Sequence, residues 1–296
     1  MAIDTTTLQL LLDTLERFVK ERLRPLESQV GKDDKIPDHI IDEMKQLGLF
    51  GLTIPEAYGG LGLNMSEEVA VARVFGHTSP AFRSAFGTNV GIGSQSLVID
   101  GTEAQKQYYL PKMATGEIIG SFCLTEPDSG SDAASVKTTA IRQGDNYLIN
   151  GTKRFITNAP SADLFTVFAR THTQEKGARG VSAFLVDGNL PGITLGSPYR
   201  KMGQQGAPVC DVMFDDVSVS QDKLVGAREN VGFATATATA YNNWLEDLYT
   251  AKDARLYGAG LMPVENSDAA AKELRRCATE RENFVAMMLP TVTVSP

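Results

Sequence analysis

One short run of residues has the composition of a loop that could bind the polar edge of a cofactor ring. The run Phe122-Cys-Leu-Thr-Glu-Pro-Asp-Ser-Gly-Ser-Asp132 follows a strand-like segment and places hydroxyls beside backbone amides in a glycine-containing turn. The same residues also suit a plain β-turn in which Asp and Ser side chains cap nearby amides, and in which Glu126 orders its own turn. Composition alone therefore predicts a structured loop and leaves its binding role open.

Few other side chains in the chain could carry chemistry by themselves. There are three histidines and three cysteines, namely His39, His77, His172, Cys123, Cys210 and Cys277. The cysteines are far apart and form no CxxC pair, so neither a disulfide framework nor a zinc site is indicated, and a reducing compartment is expected. The histidines are interpreted as surface or hydrogen-bonded residues. We therefore expect no metal site, and chemistry must come from carboxylates or from a cofactor.

Length and charge narrow the class of protein further. A chain of 296 residues is expected to form two or three domains, and 42% hydrophobic with 22% charged residues is typical of globular proteins. The net charge of -8 offers no basic surface for nucleic acid or for an anionic membrane. No run of 18 apolar residues occurs and the N-terminus has no signal-like pattern, so a cytoplasmic location is expected.

Hydrophobic spacing predicts a helical domain over residues 1–118. Leucines recur every three or four residues from Leu8 to Leu26, and a second helix is expected between Pro37 and Gly48. Further helices are expected from residue 66 to 76 and after residue 80. Thr102 and Gln105 form a capping box in front of a short helix that Pro111 is expected to close, and the helical region is expected to end near Gly116.

The period changes to two after Ile118, which predicts a middle β domain, barrel- or sandwich-like, over residues 119–230. The expected strands are 118–124, 135–142, 147–150, 154–158, 164–170, 181–186 and 209–214. Asn150-Gly151 is the strongest hairpin signal because a two-residue I′ turn needs positive φ at both positions.

Residues 231–296 are predicted to form a short, atypical helical C-terminus. They open with an Ala/Thr tract of weak helix propensity, followed by helical patterns over Trp244–Tyr257 and Asp268–Met288. The whole chain is therefore expected to be an α+β protein.

The Phe122–Asp132 run resembles the flavin-binding signature of the acyl-CoA dehydrogenase family. Four further stretches look like landmarks of that family, in its order and at its spacing. They are residues 49–62, 101–111, 149–158 and 201–204 with 214–217. The resemblance covers residues 1 to about 236 and implies an N-terminal helical domain, a central β domain and a C-terminal helical bundle, with FAD bound between the last two.

The resemblance also assigns roles to individual residues. It implies that Phe122, Leu124 and Thr125 line the flavin ring, with Thr125 donating to its polar edge. It implies that Phe155, Ile156 and Thr157 stack on the ring and hydrogen-bond near its hydride-accepting nitrogen; Phe155 stands where Trp is common. Ser131 matches a position that contacts the pantetheine or phosphate portion of the thioester ligand.

The implied activity is α,β-dehydrogenation of an acyl-CoA thioester to the trans-2-enoyl-CoA, in fatty acid metabolism, with an electron-transfer flavoprotein as electron acceptor. The reaction needs a base for the α-proton and a hydride acceptor, and no side chain accepts hydride. Family members are homo-oligomers, so an oligomer is expected here too. The acyl chain length is not indicated.

The residues after Gly232 depart from the family pattern, because too few remain for its final bundle and no match to the catalytic glutamate is found. Glu246 is a weak candidate for the base, and Glu265 and Glu273 are weaker ones. The alternative is a truncated, non-catalytic family member that at most binds flavin or a protein partner. A flavin oxidase is a third possibility. Whether this chain is itself an active enzyme is left open by its residues.

Overall fold

In the computed structural model, the described residues are 3–174 and 177–227, with the shorter pieces 258–261, 272, 275–276 and 284–288. Helices come first and a curled β-sheet follows, which confirms the predicted α+β fold. The α-helices in the described part are α1 Thr5–Phe18, α2 Glu27–Asp33, α3 Asp38–Gln46, α4 Met65–Phe75, α5 Pro80–Val90, α6 Gln95–Asp100 and α7 Glu103–Thr115. The strands are β1 Gly120–Cys123, β2 Thr139–Gln143, β3 Asn146–Thr157, β4 Leu164–Arg170, β5 Val181–Asp187, β6 Ile193–Leu195, β7 Val209–Ser220, β8 Gly258–Leu261 and β9 Phe284–Met288.

The first predicted helix is present, but it is not α-helical throughout. Asp4 caps α1 by accepting the N–H of Thr7 at 3.0 Å, as expected for an acidic N-cap. Beyond α1 the chain makes a π-helical turn over Val19–Leu23 and a 3₁₀ turn over Arg24–Leu26 before α2 begins. Pro25 has no N–H to donate, which explains why the regular hydrogen-bond ladder is interrupted here.

Helix α7 begins as predicted and ends later than predicted. The capping box of Thr102 and Gln105 is formed by reciprocal bonds of 3.2 and 3.0 Å. The expectation that Pro111 closes this helix is wrong, because α7 continues to Thr115 and ends at Gly116 in the left-handed conformation. Around the proline, Tyr109, Leu110, Met113 and Ala114 are buried in one apolar cluster, which favours continuation of the helix past Pro111.

The main sheet has strand order β1-β4-β2-β3-β7-β6, and β5 pairs along the other edge of β4. Strand β1 runs parallel to the first half of β4, whereas β2 meets only its last residue, Arg170. Because β5 occupies the whole opposite edge of β4, β1 and β2 lie one after the other along the same edge. The loop between β1 and β2 therefore leaves the sheet in the middle of that edge.

The predicted hairpin turn at Asn150-Gly151 is wrong, because both residues lie inside the long strand β3. The two-residue turn between β2 and β3 is at 144–145 instead, where Gly144 has the positive φ of 62°. In the pairing of β3 with β7, Asn150 lies opposite two residues, Asp215 and Asp216, so the β-bulge at this point has its extra residue on β7. The Asn150 side chain exchanges hydrogen bonds of 2.8 and 2.9 Å with Asp216. A Cβ at Gly151 would collide with the side chain of Thr138, so close packing requires the glycine.

Two buried asparagines join the helices to the sheet. The Asn89 side chain accepts the N–H of Gly120 at 2.7 Å and donates to the carbonyl of Ile118 at 2.8 Å. The Asn158 amide, at the end of β3, donates to Ser84 O at 2.8 Å. These bonds satisfy polar groups at the junction and set where β1 and β3 lie relative to α5.

The last described pieces correct part of the C-terminal prediction. Residues Phe284–Met288, expected at the end of a helix, form β9, which pairs in parallel with β8. Their short apolar run, which begins with Phe284 and Val285, suits a strand, whereas the helical pattern depended on widely spaced apolar positions. The predicted helix Trp244–Tyr257 lies outside the described residues. A search of the described helices finds none with the length and apolar character needed to cross a membrane.

Candidate functional site

The residues expected to contact a flavin lie in two segments that the sheet brings together. The first is the loop 124–138 between β1 and β2, and the second is the end of β3. The N–H of Arg154 donates to the carbonyl of Thr125 at 2.7 Å, and the hydroxyl of Ser121 donates to the carbonyl of Thr157 at 2.7 Å. These bonds place two segments that are about 30 residues apart in sequence side by side.

Phe122 and Leu124 provide an apolar surface where the loop begins. The Phe122 ring lies 4.9 Å from the ring of Phe168 on β4. Both residues are partly buried and pack on a small core of Val136, Phe168 and Val181. Each keeps part of its side chain exposed, so this surface can contact a planar apolar group.

Phe155 has an unusual backbone and an exposed ring. It lies in a second irregularity of β3, between Lys153 and Ile156, and its φ of 60° is in the left-handed region. This conformation is uncommon for a residue with a bulky side chain. The ring is 58% exposed and lies 5.1 Å from the ring of Tyr199. Strained residues of this kind concentrate at functional sites.

Asp211 on β7 holds this irregular segment in place. Its Oδ1 accepts the hydroxyl of Tyr199 at 2.9 Å and the N–H of Phe155 at 3.4 Å. Its Oδ2 lies 3.6 Å from Nε of Arg154. The hydrogen bond to Asp211 raises the pKa of the Tyr199 hydroxyl. The Asp211 carboxylate therefore contacts the main chain of Phe155 and the side chains of Tyr199 and Arg154.

Ile156 and Thr157 differ in what they can offer a ligand. The Ile156 side chain is 2% exposed and belongs to the β core, so only its main chain lies at the edge. Thr157 is partly buried and its carbonyl is engaged by Ser121. Their roles toward a flavin stay predictions.

Glu126 and Lys153 form a buried ion pair directly beneath the loop. The Lys153 ammonium donates to Glu126 Oε1 at 2.7 Å and to the carbonyl of Leu124 at 3.2 Å. Glu126 also accepts the N–H groups of Lys137 at 2.6 Å and Thr138 at 2.9 Å. These side-chain bonds hold the far end of the loop, whereas the turn at Glu126 itself is closed by main-chain bonds with Ser129. The side-chain bonds also explain why β2 begins only at Thr139 rather than at the predicted residue 135.

The electrostatics of the pair follow from these contacts. Burial by itself would raise the pKa of the Glu126 carboxyl, but the bonds from Lys153, Thr138 and Lys137 outweigh burial and lower that pKa. Burial lowers the pKa of the Lys153 ammonium, and the Glu126 carboxylate opposes that change. Glu126 therefore stays ionised at neutral pH, and it acts as an acceptor rather than as an acid.

The other candidate residues lie apart from this junction or outside the described chain. Ser131 is exposed near the tip of the loop, where a ligand could reach it. Glu246, Glu265 and Glu273 lie outside the described residues, so the expected base has no structural account. Cys123 and Cys210 are buried free thiols, and burial raises the pKa of both.

The sequence interpretation missed Lys153, Asp211 and Tyr199. Lys153 was detectable in principle, because it lies in phase with the inward-facing Tyr147 and Ile149 once β3 is treated as one strand. Splitting that strand at the supposed hairpin removed the signal. Asp211 and Tyr199 gave no signal, because their importance comes only from pairing β7 with the bulged part of β3.

A cleft of about 660 Å³ separates helix α3 from the segment that follows β3. Its charged lining residues are mainly acidic: Asp34, Asp38, Asp42, Glu117 and Asp163, against Lys35 and Lys45. Such a lining repels an anionic group such as a pyrophosphate. The cleft is therefore a poor match for a dinucleotide, and the loop junction remains the candidate site.

Comparison with known proteins identifies the family. The model of the acyl-CoA dehydrogenase N-terminal domain matches residues 5–117, and that of the acyl-CoA dehydrogenase middle domain matches residues 121–217. An acyl-CoA dehydrogenase of Bacillus subtilis (strain 168) is 37% identical over 221 residues, which are 75% of this chain and 58% of the relative.

Solved structures agree with this result. Butyryl-CoA dehydrogenase from Megasphaera elsdenii superposes with a TM-score of 0.74 at 30% identity, covering 80% of this chain and 63% of that one. An acyl-CoA dehydrogenase from Bacillus anthracis, complexed with FAD, gives a TM-score of 0.67 at 33% identity, covering 75% of this chain and 38% of that one. The chain thus spans less than two thirds of the length of these relatives. Two adjoining domain matches and the shared fold show that this chain belongs to the acyl-CoA dehydrogenase family.

Proposed function

We propose that the chain binds FAD where the Phe122–Asp132 loop meets the Phe155–Thr157 segment. The observation that carries this proposal is the 2.7 Å hydrogen bond from the N–H of Arg154 to the carbonyl of Thr125, which joins the two segments. Both segments lie within the middle-domain match. A solved relative in complex with FAD supports the choice of cofactor.

The residues at the junction fit a flavin ring. Phe155 offers an exposed aromatic face on a strained backbone. Phe122 and Leu124 offer apolar surface, and the hydroxyls of Thr125 and Thr157 suit the polar edge of the ring. When bound, FAD supplies the hydride acceptor that side chains cannot provide.

The proposed reaction is oxidation of an acyl-CoA thioester to the trans-2-enoyl-CoA. A carboxylate must remove the α-proton, and hydrogen bonds to the thioester oxygen must stabilise the developing enolate in a site without water. Glu246 stays the candidate base. Ser131, exposed on the loop, is proposed to contact the pantetheine or phosphate portion of the substrate.

The partners are proposed on the basis of the family. Electrons would pass to an electron-transfer flavoprotein, and the chain would assemble as a homo-oligomer. A cytoplasmic location and a role in fatty acid metabolism are part of the same proposal.

The test is the absorption of the purified chain at about 450 nm, where bound oxidised flavin absorbs. We expect anaerobic addition of short-, medium- or long-chain acyl-CoA to bleach this band, and the effective chain length would define the substrate class. Phe155→Ala should lower the flavin content, whereas Ile141→Ala, at an exposed position on β2, should not.

The other outcomes separate the remaining candidates. Flavin that binds and is never bleached would support a non-catalytic flavin-binding chain. Rapid reaction of the reduced flavin with oxygen would support an oxidase. A purified chain that takes up no FAD would contradict the proposal.

A further inference from the structure

We infer that Lys153 is a positioning residue for the cofactor, because its ammonium fixes the separation between the loop at Thr125 and the strand at Phe155. This inference rests on the proposed FAD site. It concerns a side chain that lies within the β domain and has no exposed surface.

The contacts of Lys153 surround Thr125 on both sides. The ammonium binds the carbonyl of Leu124, one residue before Thr125, and the carboxylate of Glu126, one residue after it. Thr125 itself accepts the N–H of Arg154, the residue next to Lys153. Three consecutive loop residues are thus bound to two consecutive strand residues, immediately before Phe155.

Glu126 extends this control to the other end of the loop. Its two oxygens accept the N–H groups of Lys137 and Thr138, just before β2 begins. The single ion pair therefore holds both the start and the end of the loop that carries the predicted flavin contacts. Loss of the ammonium removes the only strand group that binds the Glu126 carboxylate among the hydrogen bonds of the described residues.

Packing alone gives no reason for a lysine at this position. Removing two charges from water is costly, and apolar residues of similar volume often replace a buried ion pair without loss of stability. The ion pair instead fixes the position of the loop main chain, because its hydrogen bonds are directional. The nearby pair of Lys137 and Asp128 lacks this property, since its side chains are 71% and 66% exposed and such pairs contribute little.

The experiment measures FAD affinity of the full chain by quenching of flavin fluorescence, together with amide hydrogen exchange of residues 122–132 without FAD. Lys153→Met is compared with Lys137→Met, which removes the same kind of charge at an exposed site in the loop itself. We expect Lys153→Met to weaken FAD binding about tenfold or more, because the loop at Thr125 loses the side chain that holds it against the strand before Phe155. Its loop amides should exchange faster, and Lys137→Met should behave like wild type.

A double variant separates positioning from stability. Glu126→Gln with Lys153→Met leaves no unpaired buried charge, so its unfolding temperature should recover relative to Lys153→Met. Its FAD affinity should stay weak. Recovery of affinity together with stability would overturn the inference, as would FAD binding by Lys153→Met equal to that of Lys137→Met. If the wild-type chain binds no FAD, the proposed function and this inference both fail; if only the comparison of variants fails, the proposed function stands.

Discussion

Replacing Phe155 by glycine should leave a more stable protein than replacing it by alanine. The φ of 60° at this position costs an L-residue about 1–2 kcal/mol, and glycine avoids that cost. Elsewhere in a strand, glycine is less favourable than alanine by about 0.5–1 kcal/mol, because it has more conformational freedom to lose. Taking the middle of each range and subtracting the second effect from the first predicts that Phe155→Gly is more stable than Phe155→Ala by about 0.8 kcal/mol.

The comparison isolates the backbone because both variants lose the same ring. The contact between Phe155 and Tyr199, 5.1 Å between ring centroids, is absent from each of them. The exposure of the ring also means that little burial is lost in either case. What remains different is the cost of the left-handed conformation.

Urea unfolding of the FAD-free variants, with equal m-values, measures the difference. The matched control is Ile141→Ala against Ile141→Gly on β2, where the side chain is 43% exposed and φ is negative. There the alanine variant should be more stable by about 0.5–1 kcal/mol. Alanine that is as stable as glycine at position 155 would refute the claim that the bulge strains this residue.

The same two variants should bind FAD more weakly than wild type, and to similar extents, because neither has an aromatic face. A glycine variant that is more stable than the alanine variant and no better at binding FAD would fit a backbone strained for a functional reason.

Other consequences can be measured with the same methods. Gly151→Ala should lower the free energy of unfolding by about 1–3 kcal/mol, because its Cβ would collide with Thr138; unchanged stability would contradict the close approach. The lowered pKa of Glu126 contributes stability at pH values above about 4.5, which is lost as the pH falls through the lower folded value. The decrease in the free energy of unfolding on acidification should therefore be smaller in Glu126→Gln than in wild type. Urea unfolding between pH 3 and pH 6, roughly the range in which carboxylates titrate, measures this decrease. In a Cys277→Ser variant, the buried thiols of Cys123 and Cys210 should react with a thiol reagent only after unfolding. Rapid reaction of the native protein would show that these thiols are accessible.

Local spacing was sufficient for much of the helical region. The capping box at Thr102 and Gln105 needs only side chains three residues apart, and it formed as predicted. The continuation of α7 past Pro111 was not predictable in this way, because the helical residues around the proline pack against residues distant in sequence, such as Leu164 and Leu185. Local spacing also gave no sign that the Gln105 side chain donates to the distant carbonyls of Asp222 and Leu224.

Turn chemistry in the β region was ambiguous for a physical reason. Asn-Gly favours positive φ wherever the chain needs it, and a bulge inside a strand can need it as much as a hairpin does. At Asn150-Gly151 neither a hairpin nor an extra β3 residue forms: Asn150 lies opposite the bulge of β7, and Gly151 packs against Thr138. No pattern within the segment itself contains that information.

The sequence by itself determined that a helical region precedes a β region, that Thr102 and Gln105 form a capping box, and that the two matched regions resemble one family. It did so because those features depend on neighbours in the chain or on motifs of adjacent residues. Only the tertiary structure decided that Lys153 is buried beneath Thr125 and that Asp211 holds the strained Phe155. Both arrangements arise from pairing strands and loops that are distant in sequence, so they exist only once the sheet has formed.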